Sequence, residues 1–277
     1  MYDFYWRVAD RRILDDRDRE VEFYKRLLKG FKKGDLIFDI GANHGAKTDV
    51  FLRLGANVIA VEPDEVNERV LQQKFLKYRL VRKPLVIVKK AISDTNAVEM
   101  MWIDAPGSAK NTLSRKWVDT LRGDESRFGH RLNFAEQKEV VTTTLDQLVR
   151  DHGRPFFVKI DVEGSEPNVL RGIGRAVPYL SFEVNLPEFE PEGLECVNLL
   201  SNLDADGSFN YVAECRDGFV LKEWVHASEC LRLIKLCGEK SIEVFWKASP
   251  LASLEAAELD HTEAGGSRTT TIHALRA

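Results

Sequence analysis

Strand-length apolar runs recur along the chain and are separated by segments with helical spacing. The runs lie at 36–40, 58–61, 85–88, 98–103, 140–143, 156–160, 180–184, 209–214 and 242–246. A helix-length segment follows Gly45, and further helices are predicted at 64–80, 144–153, 167–174, 192–203 and 226–237. Strands that alternate with helices predict an α/β fold, in which a mostly parallel, doubly wound sheet carries helices on both faces.

Three segments lie outside this repeat. Residues 1–33 predict an amphipathic N-terminal helical extension, which packs on the sheet or covers the mouth of a ligand site. Residues 34–249 form the predicted α/β domain, with an insertion at about 104–139. Residues 250–277 are rich in Ala, Glu, Ser and Thr. We expect a flexible tail there, because such a segment cannot bury enough apolar surface to offset the entropy of ordering it.

The loop after the first strand carries the clearest chemical signal. It reads Asp39-Ile40-Gly41-Ala42-Asn43-His44-Gly45, and Glu62 ends the second strand. Glycine lets the backbone pass close to a ligand and to the next helix. A carboxylate at the end of the second strand can accept hydrogen bonds from ribose hydroxyls. The strand, turn, helix and strand together predict a nucleotide-binding unit of Rossmann-like type.

The details of the loop favour S-adenosylmethionine over a dinucleotide. NAD-binding loops read GxGxxG, so that a pyrophosphate rests on the helix N-terminus, and this loop lacks the GxG pair. The carboxylate of Asp39 would repel a pyrophosphate but attract the ammonium group of S-adenosylmethionine. A βαβ crossover without any ligand is the alternative that these residues alone leave open.

These residues resemble motifs of the FkbM-type class I methyltransferases. The loop is similar to the family's DxGANxG, and Glu62-Pro63 is similar to the EP that ends its second strand. Thr144-Leu145-Asp146 and the run KIDVEGSE at 159–166 resemble the family's TLD and KIDVEGxE, and Phe182-Glu183-Val184-Asn185 falls at its next strand. The resemblance covers about residues 34–190. It implies a seven-stranded sheet with the last strand antiparallel, and methylation of a hydroxyl on a sugar, glycan or related metabolite.

Ligands of open α/β sheets bind beyond the carboxyl ends of the strands, and this rule selects the candidate site residues. The candidate cofactor-binding residues are Asp39, Gly41, Ala42, Asn43, Gly45, Glu62, Ser93, Asp94 and Asp161. Asp161 and Glu163 are the candidate catalytic residues, because methylation of an alcohol requires a group that takes its proton. Three alternatives remain: Asp161 only holds the cofactor's ammonium, Glu163 caps the next helix, and Ser93 and Asp94 form a turn instead of contacting adenine. His44 is either a base or a polar cap.

Basic and aromatic residues are interleaved in the insertion at 104–139. The cations are Lys110, Arg115, Lys116, Arg122, Arg127 and Arg131, and the aromatic residues are Trp117, Phe128 and Phe134. A long insertion at the ligand-binding edge is more often a functional lid than a plain connection. This composition suits a glycan, an anionic sugar or a phosphorylated carrier, whereas a solvated charged helix with buried aromatics is the alternative.

The global composition argues against several other classes of protein. The chain has 277 residues, a formal net charge of −4 and a pI near 6.0, which argues against nucleic-acid binding. It contains no apolar run of the roughly 20 residues needed to span a membrane, and its N-terminus lacks a signal-peptide core, so we expect a cytoplasmic protein. We predict no metal, neither zinc at the cysteines and His226 nor Mg²⁺ at Asp161 and Glu183.

We therefore expect an S-adenosylmethionine-dependent methyltransferase with a small-molecule or glycan acceptor, and we leave a homodimer open. A non-catalytic cofactor-binding subunit, a nucleic-acid methyltransferase and an NAD-dependent oxidoreductase are the alternatives. The presence of the candidate site residues argues against a non-catalytic subunit. A nucleic-acid methyltransferase usually has a [DNS]PP[YFW] motif after the fourth strand, which this chain lacks. The missing GxGxxG argues against an NAD-dependent oxidoreductase.

Overall fold

The computed structural model describes residues 11–81, 84–122, 125, 127 and 131–250. The helices are α1 (Arg11–Leu27), α2 (Ala46–Leu54), α3 (Glu65–Lys74), α4 (Leu76–Leu80), α5 (Arg115–Leu121), α6 (Leu145–His152), α7 (Glu166–Arg171), α8 (Glu190–Leu203) and α9 (Ala227–Leu236). The strands are β1 (Leu36–Ile40), β2 (Asn57–Val61), β3 (Leu85–Val88), β4 (Ala91–Ile92), β5 (Val98–Ile103), β6 (Glu136–Thr143), β7 (Phe157–Ile160), β8 (Tyr179–Asn185), β9 (Ser208–Val212) and β10 (Ser241–Lys247). Residues 251–277 of the tail predicted at 250–277, and residues 1–10 of the N-terminal extension, lie outside the described residues.

Seven of the strands form one sheet in the order β3-β2-β1-β7-β8-β10-β9. Neighbouring strands from β3 to β8 are parallel, and β10 runs antiparallel between β8 and β9. The predicted doubly wound, seven-stranded sheet with an antiparallel last strand is confirmed. The strand order reverses between β1 and β7, and ligands of such sheets bind in the crevice at this point, beyond the carboxyl ends of the strands.

Both faces of the sheet are covered, which explains why its central strands are continuously apolar. On one face, residues of β1, β7 and β8 pack under α6, α7, α8 and α9 in a large apolar cluster. On the other face, α1, α2 and α3 cover a second cluster that includes Ile37, Phe157 and Phe245. The sheet is therefore packed on both sides, and the carboxyl ends of its strands hold site residues in fixed positions.

Helix α1 packs on the sheet. Its predicted apolar residues, Val21, Phe23, Tyr24, Leu27 and Leu28, are all buried. The ring of Tyr24 meets Phe51 of α2 edge to face at 5.1 Å, and Arg17 donates to Asp49 of α2 at 2.7 Å. These contacts fix α1 against the helix that follows the glycine loop.

Local sequence signals explain where several helices begin. The Asp64 side chain accepts hydrogen bonds from the N–H groups of Val66 and Asn67, and caps α3 as expected. The Thr144 hydroxyl accepts from the N–H of Gln147 and begins α6 at the predicted position. The single helix predicted at 64–80 is instead two helices, because the chain leaves helical geometry at Phe75.

A small second sheet flanks the predicted insertion. Strand β6 pairs antiparallel with β5 and parallel with β4 in a three-stranded sheet. The strand predicted at 140–143 begins earlier, because residues 136–139 also belong to β6; they are polar and exposed, as one face of an antiparallel sheet can be. Helix α5 carries exposed charges, whereas Trp117 and Phe134 are buried in a separate apolar cluster.

Candidate active site at the carboxyl edge of the sheet

A cavity of about 260 Å³ opens at the carboxyl ends of β1, β2, β7 and β8. Five of the predicted site residues line it: Gly41, Asn43, Glu62, Asp161 and Glu163. The insertion supplies another wall through residues 108–113, and Glu183 lies at the end of β8. The cavity therefore joins the glycine loop, the acidic residues after β7 and the insertion in one space.

Two glycines of the loop are required by close contacts within the protein. Gly41 has φ +78°, and a Cβ atom there would lie 1.8 Å from the carbonyl oxygen of Asp161. Gly45 has φ +72°, and its Cβ would lie 2.5 Å from the ring of Phe75. No side chain fits at either position, so the glycines let β1 turn beside the chain that leaves β7 and let α3 pack on the loop.

Glu62 is held in place by backbone donors. Its carboxylate accepts from the N–H of Asn43 and the N–H of Asp64, both at 2.8 Å, and it is 6% exposed. Burial raises the pKa of Glu62 to about 7, although these hydrogen bonds and the side chain of Asn67 lower it. A carboxylate has about four lone-pair sites, so Glu62 can still accept hydrogen bonds from a ligand in the cavity.

Asp39 lies behind the loop and outside the cavity wall. It is buried, and its Oδ2 accepts from the hydroxyl of Thr48 at 2.5 Å. Its strand partner across the sheet is Lys159. Burial raises the pKa of Asp39, and the ammonium of Lys159 opposes that rise.

Three carboxyl groups meet at the far end of the cavity. Asp161, Glu163 and Glu183 each offer an oxygen, and these oxygens lie within 4.8 Å of one another. The ammonium of Lys159 lies 2.8 Å from Asp161, and the ammonium of Lys110 lies 2.7 Å from Glu163. Two of the three carboxyl groups therefore have a cationic partner from the protein itself.

The surroundings of the three carboxyl groups shift their pKa values differently. Burial alone would raise the pKa of Asp161, but the ammonium of Lys159 and hydrogen bonds hold it below its ordinary value. Burial raises the pKa of Glu163 well above its ordinary value, and Lys110 offsets only part of this. Burial and the charge of Asp161 raise the pKa of Glu183 to about 7.

The charges of these carboxyl groups are balanced by lysine ammonium groups, an arrangement that does not suit a divalent cation. A metal ion among the three carboxyl groups would lie close to the ammonium groups of Lys110 and Lys159 and be repelled by them. This repulsion supports the prediction of no metal, which stays a prediction.

The turn after β7 aims Glu163 into the cavity. Glu163 has φ +55°, a left-handed conformation that is costly for a residue with a side chain, and the Thr112 hydroxyl donates to its carbonyl oxygen at 2.7 Å. The carboxylate of Glu166 accepts from the N–H of Val162 at 3.0 Å and that of Gly164 at 3.3 Å. Glu166 therefore ties this turn together, and Glu163 is left to face Lys110.

Other predicted residues lie away from the cavity wall. Ala42 and Gly45 support the loop from behind, and the N–H of Ser93 donates to Thr143 at 2.9 Å. Residues 90–92 line the cavity in place of Ser93 and Asp94. His44 is exposed, and its carbonyl oxygen accepts from Lys74 at 2.7 Å.

Comparisons with known proteins agree with this geometry. Residues 39–206, more than half of the chain, match the methyltransferase FkbM domain. The chain belongs to the FkbM methyltransferase family. The predicted cofactor, S-adenosylmethionine, is the one that this family uses, and the family match argues against the NAD-dependent alternative. The match runs from Asp39 through the glycine loop, Glu62, the insertion and all three cavity carboxyl groups.

The hexuronic acid methyltransferase AglP of Haloferax volcanii is 27% identical over 180 residues, which are 65% of this chain and 64% of that protein. The chain thus matches less than two thirds of the relative's length. A solved methyltransferase FkbM from Methylobacillus flagellatus KT is 15% identical, with a TM-score of 0.49, over 78% of this chain and 44% of that chain. A putative RNA methyltransferase from Pyrococcus horikoshii is 11% identical, with a TM-score of 0.40, over 84% of this chain and 82% of that chain.

Several residues at this candidate site were absent from the predicted set. They are Asn67, Lys90, Lys110, Lys159 and Glu166, together with Glu183 as a site residue. Lys159, Glu166 and Glu183 stand inside the family motifs, so the motifs contained a signal for them. Lys110 is one cation among many in the insertion, and only the folded chain brings it to Glu163.

Among the described residues, no helix is long and apolar enough to cross a bilayer.

The buried carboxyl groups make stability depend on pH. Burial raises the pKa of Glu62 to about 7 and that of Glu166 to about 8, both from 4.5. Between pH 4.5 and these folded values the folded chain therefore binds more protons than the unfolded chain. Its stability falls as the pH rises through this range and levels off above the folded values. We expect the thermal midpoint of the ligand-free protein to fall by a few degrees between about pH 6 and pH 8.5.

Thermal unfolding followed by circular dichroism measures this dependence. Glu166→Gln keeps an acceptor oxygen for Val162 and should flatten the dependence, whereas Glu139→Gln, on an exposed strand face, should leave it unchanged. A midpoint that rises with pH in the wild-type protein, or an unchanged slope in Glu166→Gln, would contradict these assignments.

Proposed function

We propose that the chain transfers the methyl group of S-adenosylmethionine to a hydroxyl group of a sugar or glycan-related molecule. The observation that carries the proposal is the cluster of carboxyl groups in the cavity that holds Glu62 and the glycine loop. Methyl transfer from a sulfonium requires an acceptor held in line with the sulfur, and an alcohol acceptor also needs a group that takes its proton. The cluster can meet the second requirement.

The roles follow from the positions in the cavity. Glu62 accepts hydrogen bonds from the ribose hydroxyls, and the backbone of Gly41 and Asn43 lies against the cofactor. Asp161 and Glu163, with Lys110, border the space for the acceptor. Asp39, Ala42, Gly45, Ser93 and Asp94 support the cofactor pocket from outside its wall. Residues 108–113 of the insertion contact the acceptor.

The acceptor class rests on two further observations. The relative from Haloferax volcanii is described as a hexuronic acid methyltransferase. In this chain the insertion brings the ammonium of Lys110 to the cavity, with Trp117 beneath it at 5.8 Å. An ammonium at the cavity wall suits a sugar that carries a carboxylate. We therefore expect a uronic acid or a similar anionic sugar. A cytoplasmic location and a homodimer stay predictions.

The test is transfer of a labelled methyl group to matched acceptors. The chain is incubated with labelled S-adenosylmethionine and methyl glucuronide, methyl glucoside, a uronic-acid disaccharide or transfer RNA. We expect the label in the uronides, at a rate well above that in the neutral glucoside. Label in RNA alone would support the nucleic-acid alternative, and no label despite cofactor binding would support the non-catalytic subunit.

A further inference from the structure

The three carboxyl groups of the cavity differ in their partners. Asp161 is paired with Lys159, and Glu163 is paired with Lys110. Glu183 forms no salt bridge within the described part of the chain. Its Oε1 accepts from the hydroxyl of Ser241 at 2.7 Å, and its carboxyl group lies within 4.8 Å of that of Asp161. Glu183 is therefore the cavity carboxylate whose lone pairs are least engaged by cations.

This difference matters for proton transfer. An ammonium partner stabilises a carboxylate and makes it a weaker base, and this applies to Asp161. Glu163 likewise faces an ammonium, that of Lys110 at 2.7 Å, which engages its lone pairs, although burial raises its pKa. A general base works best when its pKa is close to the operating pH. Burial and the charge of Asp161 bring the pKa of Glu183 to about 7.

We propose that Glu183 is the catalytic base that takes the proton of the acceptor hydroxyl, with Asp161 and Lys159 as positioning residues. This inference rests on the proposed O-methylation and assigns its base. As the acceptor oxygen bonds to the methyl carbon, the bond between that carbon and the sulfonium sulfur breaks, and its electron pair stays on S-adenosylhomocysteine. The hydroxyl proton passes to the carboxylate of Glu183 and then to water after product release.

The groups around Glu183 come from several elements. They are Lys159 and Asp161 at the end of β7, Glu163 and Glu166 in the turn and helix that follow, Lys110 of the insertion, and Ser241 and Glu243 of β10. Four carboxyl groups and two ammonium groups thus surround it, and this excess of acidic groups disfavours the ionised form of Glu183 itself. Because the base must be ionised, kcat/KM should fall about tenfold for each pH unit below 7.

The experiment compares Glu183→Gln with the wild-type protein, using labelled methyl transfer to the uronide panel. Glutamine keeps the size of the side chain and an oxygen for Ser241 but cannot take a proton. We expect kcat to fall by about 10²–10⁴-fold, with the Kd for S-adenosylhomocysteine and the KM for the acceptor changed less than about threefold. The residual activity should lose its dependence on pH near 7. Glu183→Asp should recover part of the rate, and Glu195→Gln, on the exposed side of α8, should match the wild type.

The outcomes separate this inference from the proposed function. Full turnover in Glu183→Gln, or residual activity with an unchanged pH profile, contradicts the inference alone. Loss of S-adenosylhomocysteine binding in that variant also contradicts it, because the role would then be structural. A wild-type protein that binds the cofactor but methylates no uronide contradicts the proposed function, and the inference fails with it.

Discussion

Replacement of Gly41 by alanine is expected to abolish cofactor binding. The new Cβ atom would lie 1.8 Å from the carbonyl oxygen of Asp161, which belongs to the backbone and cannot swing aside. The residue would also keep a left-handed conformation, at a cost of about 1–2 kcal/mol. Either β1 or the chain after β7 must move, and both border the cavity. We expect a loss of more than about 100-fold in affinity for S-adenosylhomocysteine, and a lower midpoint of thermal unfolding.

A matched control separates the effect of the close contact from the effect of the positive φ angle. Gly34 also has a positive φ, +98°, but no atom lies within 4 Å of its Cβ position. Gly34→Ala should therefore carry only the conformational cost and bind S-adenosylhomocysteine like the wild type. Calorimetric titration of both variants makes the comparison. Binding by Gly41→Ala within about threefold of the wild type would show that this loop does not shape the cofactor pocket.

Replacement of Glu62 by alanine is expected to weaken S-adenosylhomocysteine binding by about 1.5–3 kcal/mol, which corresponds to roughly 10–150-fold in Kd. The variant removes charge-assisted hydrogen bonds to the ribose. It also leaves the N–H groups of Asn43 and Asp64 without their acceptor, so the loop loses an anchor. Both effects act on the cofactor side of the cavity.

The pH dependence of binding provides a second readout for Glu62. Burial raises its pKa to about 7, and a ribose that donates to it favours the ionised form. Binding of S-adenosylhomocysteine to the wild type should therefore weaken as the pH falls below about 7, whereas Glu62→Gln should show less of this dependence. Glu65→Ala, an exposed residue of α3, is the control and should bind normally. Unchanged affinity in Glu62→Ala would mean that the ribose binds elsewhere.

Much of the fold could be predicted because its signals are local. The apolar runs of β1, β2, β7 and β8 lie in the middle of a covered sheet, so each is recognisable without knowing its neighbours. The side chains of Asp64 and Thr144 begin their helices through contacts with the next few residues. The start of β6 was missed because residues 136–139 face solvent and carry no apolar pattern.

The site could be predicted only in part, because its electrostatics depend on contacts between distant segments. The loop glycines and Glu62 belong to a local motif, and the structure places Gly41 and Glu62 at the cavity. Lys110 and Glu163 are far apart in sequence and meet only when the insertion folds over β7. The motif predicts that Asp39 attracts the cofactor, and only the structure shows that its Oδ2 accepts from Thr48 outside the cavity wall. Such orientations depend on packing and leave no pattern in the sequence.

The most direct test of the assigned site is a crystal structure of the chain with S-adenosylhomocysteine. We expect both ribose hydroxyls within hydrogen-bond distance of Glu62, and the methionine part beside Gly41 and Asn43. The sulfur should face the cluster of Asp161, Glu163 and Glu183, with room for an acceptor between the sulfur and Glu183. A ribose bound away from Glu62, or a sulfur that faces away from the three carboxyl groups, would contradict the account.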